Sequence, residues 1–191
     1  MKSLFNWVVF GIISILIATY ALPLANGQSD WSSKPEKSTI NYILKHPLHT
    51  VRGTSSRIKS KVSINDTKGI QAVTTTVPVK SFDSGNRTRD KDMLKVTEAA
   101  TYPEVKFTST SITDHNTHLV VKGQLQFHGI TQDITFQAKQ QLVNNEILVT
   151  GSFPISLENY KIKRPSIFGM AVKDIVTIEF HIVYTAPKTT P

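Results

Sequence analysis

Cysteine is absent from the 191 residues. That excludes disulfides, thiolate metal centres and a lipid-modified N-terminal cysteine, so the domain must hold itself by ordinary packing. A closed sheet suits that condition better than a small loop-rich scaffold. Catalytic signatures are missing too: no GxSxG, no HExxH and no phosphate-binding glycine-rich loop occurs. The formal net charge is +8, but it is spread thinly and lacks the aromatic-rich basic motif of RNA-binding proteins. A solvated basic surface, or attraction to anionic surfaces and acidic polymers, accounts for it, and nucleic acid is not an expected partner.

Charge is also scarce at the start. Lys2 is the only charged residue before Asp30, and Leu4 to Leu24 is almost entirely apolar. A basic start, an apolar run and the small-x-small Ala25-Asn26-Gly27 mark residues 1–27 as an expected secretory signal. An uncleaved membrane anchor is the alternative, because about 20 apolar residues can span a bilayer. Residues 28–37 read as a polar linker, 38–185 as one domain and 186–191 as a tail. The mature chain is then periplasmic or secreted.

Period-two alternation dominates the domain. Ile40, Tyr42 and Leu44 alternate with polar neighbours, and 58–64, 70–79 and 105–109 follow as strands. Leu119, Val121, Gly123, Leu125 and Phe127 then share one face, as do Ile134, Phe136 and Ala138. The series continues through Ile147, Val149, Gly151 and Phe153 and closes with Val176, Ile178, Phe180, Ile182 and Tyr184. About eight strands with one apolar face each mean a sandwich or a barrel. One segment, Asn86 to Ala100, reads as a helix, with Met93, Leu94 and Val96 inward and Asp90 and Asp92 toward its positive end. A single helix among eight strands is easier to seat beside a barrel than between two sheets.

Isolated candidates for chemistry are weak. His46 and His49, and His115 and His118, form close pairs, but zinc needs three or four convergent ligands, so no metal site is expected. Asp90 and Asp92 lie two apart on a helix and point in different directions. Asn65-Asp-Thr67 and Asn86-Arg-Thr88 match the glycosylation pattern, a match short enough to arise by chance. Arg87 and Arg89 flank the start of the helix, and Lys161, Lys163 and Arg164 interrupt a strand-like segment. Taken alone each cluster is solvated surface; together, with Arg87, Arg89 and Arg164 foremost, they would rim a barrel mouth and hold an anionic head group.

The apolar faces are the larger signal. Phe107, Val121, Leu125, Phe127, Ile134, Phe136, Phe153, Phe168 and Phe180 are the candidate lining of a cavity. Gly123 and Gly151 would leave room in it, since glycine contributes no side chain. Ordinary core is the default for any one of these residues.

Several stretches together resemble the YceI-like family of secreted bacterial proteins. They are His46 with Val51-Arg-Gly53, Val77 to Asp90, Thr101-Tyr-Pro-Glu-Val-Lys-Phe107, Val121 to Thr131, and Arg164 with Phe168-Gly169. The resemblance spans about residues 38–184. It implies an all-β, single eight-stranded antiparallel lipocalin-like β-barrel with one short helix, holding an isoprenoid or other long-chain amphiphile. Pro35-Glu36-Lys37-Ser38 and the segment 160–173 depart from the commonest family form, so head-group chemistry transfers least.

The expected function is therefore binding, storage or transport of a long-chain lipid: a polyisoprenoid such as a quinone or prenyl phosphate, or a fatty-acid derivative. No catalytic residue and no cofactor is expected, and membrane association would accompany a monomer or homodimer. One alternative is a secreted stress-response or interaction protein whose barrel is filled by its own side chains. Another is an enzyme on a lipophilic substrate, with His128 or His181 as base.

Overall fold

The computed structural model describes residues 29–167 and 169–187. The expected signal segment lies outside them, as do Phe168 and the last four residues of the tail.

Eight antiparallel walls close into a barrel. β1 (Ser29–Ser33) pairs with β4 (Lys59–Ile64), and the ring runs on through β5 (Ile70–Pro78), β6 (Glu104–Asp114), β7 (Leu119–Phe127), β8 (Ile130–Val143) and β9 (Glu146–Ser156). β12 (Ile175–Thr185) follows and pairs back onto β1. Closure leaves no free edge around the ring, which is how an all-β domain avoids edge-to-edge association.

Two walls are built in two pieces. β2 (Thr39–Lys45) continues β1 along the same edge of β12, after a 3-10 turn at Pro35–Lys37. β3 (Thr50–Ser55) pairs with β2 and leads into β4. The outer edge of β3 carries only a bridge from Thr54 to Asp83. The one α-helix among the described residues, α1 (Arg87–Val96), starts four residues beyond that bridge.

Residues 29–37 are therefore no linker. Trp31, in the middle of β1, is 2% exposed, and β1 supplies the pairings that close the ring. Its polar composition arises because the flanking Asp30 and Ser32 face out while one tryptophan carries the inward face. β3 was also unexpected as a strand, because its inward positions are Val51, Gly53 and Ser55 and only one is a large apolar residue; so was a small hairpin of β10 (Ser166–Ile167) and β11 (Met170–Ala171), too short to show a period.

The helix is shorter than its sequence suggests. Asn86 caps it, accepting from the backbone N–H groups of Thr88 and Arg89, both at 3.1 Å, and residues beyond Val96 coil into turns. At the β7–β8 corner both His128 (φ 51°) and Gly129 (φ 72°) are left-handed, the two-residue geometry whose twist matches the flanking strands.

Candidate functional site

The inward faces of the walls do not meet. They enclose a cavity of about 560 Å³, within the range of small-molecule sites. Four phenylalanines from four strands form its central belt: Phe136 lies 5.5 Å from Phe107, 4.9 Å from Phe153 and 5.7 Å from Phe180, between ring centroids. Val121, Leu125 and Phe127 of β7 line it as well.

Glycines shape the wall differently from the expectation. The space over Gly123 is filled by the Phe107 ring, and that over Gly151 by the Phe180 ring. Gly53 does the same for Tyr42 on the paired strand. Each glycine lets a neighbouring ring lie back against the sheet, so the lumen stays open while the backbone gap is covered.

One end is sealed. Trp31, Ile64 and Ile147 are at most 2% exposed and lie outside the lining of the cavity. Tyr184, which does line it, bonds through its hydroxyl to Ser60 Oγ at 2.8 Å. Burial pushes the Tyr184 phenol up to about 12. The β4–β5 turn crosses beneath. Its Lys68 carbonyl accepts from Gln140 Nε2 of β8 at 2.7 Å, and the Lys68 ammonium sits 4.7 Å over the Trp31 ring.

The other end opens. Its exposed lining residues, His49, Asn86, Thr88, Asp92 and Ser166, come from the β2–β3 turn, α1 with its cap, and β10. Met93 and Val96 turn toward the lumen as expected, whereas Leu94, also expected inward, lies off the lining beside Lys80 and Glu98. The charged residues lining the cavity, among those described, are Arg89 and Asp92. Arg89 donates from Nε to Ser84 Oγ at 2.9 Å and from Nη2 to the Ser84 carbonyl at 2.6 Å. Ser84 donates in turn to Asp90. The family-like run through Asn86, Arg89 and Asp90 thus builds the helix start and its attachment. Tyr42 stands beside it, its phenol pushed up by burial and by the nearby Asp90 carboxylate.

Three of the expected positions fall elsewhere. Ile134 is half-buried in the neighbouring apolar cluster without lining the cavity. Arg87 is exposed at the first turn of α1, away from the lining. Arg164 is also off the lining; it pairs with Glu158 at 3.2 Å and donates to the Val172 carbonyl. A basic rim of three arginines does not form, because helix geometry and this ion pair direct two of them away. Phe168 lies outside the described residues.

The histidines are structural links. His46 Nδ1 accepts from the Leu48 N–H at 3.2 Å, so Nε2 carries the hydrogen and donates to the Met170 carbonyl at 3.0 Å. The His128 side chain is 9% exposed, and Nδ1 donates to the Tyr160 carbonyl at 2.8 Å. Its ring meets Tyr102 edge-on at 5.0 Å. His181 is exposed, and neither His128 nor His181 lines the cavity. Among the described residues, no three His, Asp or Glu side chains converge to hold a metal ion. Sequence reasoning missed Tyr42, His49 and Asn86 as lining. Tyr42 carried a signal in its alternation with Ile40 and Leu44, and Asn86 one in standing at the start of the helix.

A hollow, antiparallel eight-stranded barrel with one sealed end defines a class of small-molecule-binding architecture. Residues 31–184 match the YceI-like domain, and the chain belongs to that family. A UPF0312 protein of Vibrio parahaemolyticus is 31% identical over 132 residues, covering 65% of this chain and 69% of the relative. Protein YceI of Salmonella newport is 24% identical, covering 70% and 71%. Among solved structures, Burkholderia cenocepacia BcnA superposes with a TM-score of 0.72 at 22% identity, over 79% of this chain and 98% of that one. A polyisoprenoid binding domain from Saccharophagus degradans, implicated in plant cell wall breakdown, reaches 0.65 at 17% identity, over 82% and 98%.

Proposed function

We propose that the protein binds a long-chain amphiphile, an isoprenoid or fatty-acid derivative, with its apolar chain in the barrel and its polar head at the open end. The carrying observation is the cavity itself, ringed by phenylalanines and reached past Arg89, Asp92, Asn86 and His49. Burying a chain there is worth about 0.8 kcal/mol per methylene before the costs of association. The polyisoprenoid-binding relative of the same fold supports the choice of ligand class. Mechanism is passive: burial supplies affinity, and a few polar groups orient the head. Storage or transport of that ligand outside the cytoplasm follows from the export signal expected in residues 1–27.

The test is native mass spectrometry of protein extracted without denaturation, followed by titration with added prenyl and fatty-acyl lipids. Co-purified or acquired lipid at about one per chain is the expected result. Repeated failure to acquire any lipid would sink the reading. Processing near residue 27 and recovery in the exported fraction test the location.

A further inference from the structure

We infer that the outer rim of the open end docks on an anionic lipid bilayer, with Leu48 and Ile175 entering the apolar boundary and lysines holding the headgroups. The rim is distinct from the lumen, and the docking holds whatever the barrel carries.

Four large apolar side chains stand exposed among the described residues. Leu142 and Val143 sit near the tip of the β8–β9 hairpin, beside the sealed floor. Cations there are already engaged: Lys34 and Lys37 both bind Glu146 at 2.8 Å, and Lys68 lies over the Trp31 ring. Leu48 (62% exposed) and Ile175 (50%) belong to the open end. The Lys173 N–H donates to the Lys45 carbonyl at 2.8 Å, and Val176 pairs with Leu44, which sets Ile175 against the end of β2. From Lys45 the chain turns at once to Leu48. His46 and His49 exchange backbone hydrogen bonds across that turn, and the Leu48 N–H donates to His46 Nδ1 at 3.2 Å. Leu48 is therefore held out by a fixed turn.

Charge selects the partner and the side of the mouth. Residues 45–50 and 157–175 carry five cations against two carboxylates, whereas 79–103, around α1, carry five against four. Of the two carboxylates, Glu158 pairs with Arg164 at 3.2 Å and Asp174 accepts from the Glu158 N–H at 2.8 Å. Lys45, Lys161, Lys163 and Lys173 are exposed and make no ion pair among the described residues. Apolar side chains flanked by lysines are the pattern of a surface that lies on a membrane. An acidic protein would satisfy the lysines but would need a pocket for each apolar side chain. A bilayer needs none, because its acyl boundary admits them anywhere.

The chain has no cysteine, so one substitution creates one labelling site. An environment-sensitive dye is attached to the full chain at Pro47→Cys, beside Leu48, or at Gln141→Cys, beside Leu142. Each labelled protein is mixed with vesicles of phosphatidylglycerol or of phosphatidylcholine. A blue shift at 47 with phosphatidylglycerol alone is expected, weakened by salt, with none at 141. Comparing two positions of one chain separates the rim from any other segment that meets the vesicle. A shift at 141 instead of 47, at neither, or equally with both lipids would overturn the docking face. The same shift with polyglutamate would replace the bilayer by an acidic protein as partner. Read through the dye at 47, Leu48→Ser with Ile175→Ser is expected to lower vesicle affinity by at least about tenfold. Lys45→Gln with Lys173→Gln should do likewise, at about fivefold per lysine. Unchanged affinity in either folded pair would count against the rim, and the label comparison stands by itself if a pair does not fold. None of these readouts needs a loaded lumen, so their failure leaves the lipid-binding reading standing.

Discussion

The Phe180 ring lies directly over Gly151, its partner across the β9–β12 pair, with Cζ 2.5 Å from where a Cβ on that glycine would stand. The Gln137 carbonyl is 2.8 Å from the same point. Neither distance admits a real carbon, so a side chain at 151 must displace both the ring and the β8 backbone at Gln137. Gly151→Ala is expected to lose about 1–3 kcal/mol of stability by overpacking. It should also bind shorter chains than the wild type. Denaturant melts and lipid titration check both; retention of the longest ligand would show that the ring yields in another direction.

His128 is expected to behave as a clamp. Removing its hydrogen bond to the Tyr160 carbonyl by His128→Ala should cost about 1–2 kcal/mol and speed amide exchange in residues 157–163. A second contribution comes from the left-handed backbone at 128, where glycine is easier than alanine. His128→Gly should therefore recover part of the loss. Unchanged exchange in that loop would contradict the clamp.

Asn86→Ala removes the acceptor for two backbone donors and is expected to cost about 1 kcal/mol. Because α1 lines the open end through Met93 and Val96, its fraying should raise the rate at which bound lipid leaves. Stopped-flow release into vesicles measures this, and an unchanged rate would separate the helix from the gate.

Alkaline pH should expose the floor. The Tyr184 phenol is pushed up to about 12 in the folded protein by burial, whereas an unfolded tyrosine titrates near 10. Between those values the folded state holds a proton that the unfolded state releases. The contribution is present below about pH 10 and lost as pH rises toward 12, worth roughly 2 kcal/mol at this nearly fully buried site. Tyr184→Phe should flatten stability against pH in that window while losing about 1 kcal/mol at neutral pH, where Ser60 forfeits a partner. An identical alkaline slope in wild type and variant would refute the assignment.

Alternation along β7 and β12 is local: each side chain's face follows from the pleat, so the inward sets Leu119 to Phe127 and Val176 to Tyr184 could be read directly from the order of residues. The β7–β8 corner was not legible as a two-residue turn, because Thr131 and Gln132 continue β8 with polar side chains where the alternation of apolar residues resumes only at Ile134. Family-like stretches carried the barrel as the expected closure. β1 was not legible, because five residues with one apolar side chain have no period, and only pairing with both β4 and β12 makes them a strand.

Residue order thus determined which side chains face inward, where the helix begins and that no thiol chemistry is available. Tertiary structure decided whether the inward faces touch. Phe107, Phe180 and Tyr42 lie back over glycines on neighbouring strands, which is a relation between strands and leaves the middle hollow. It also decided which arginine reaches the open end: Arg89 lines it, while Arg164 is held by Glu158. A charge's position in the chain carries no information about the partner that folding brings beside it.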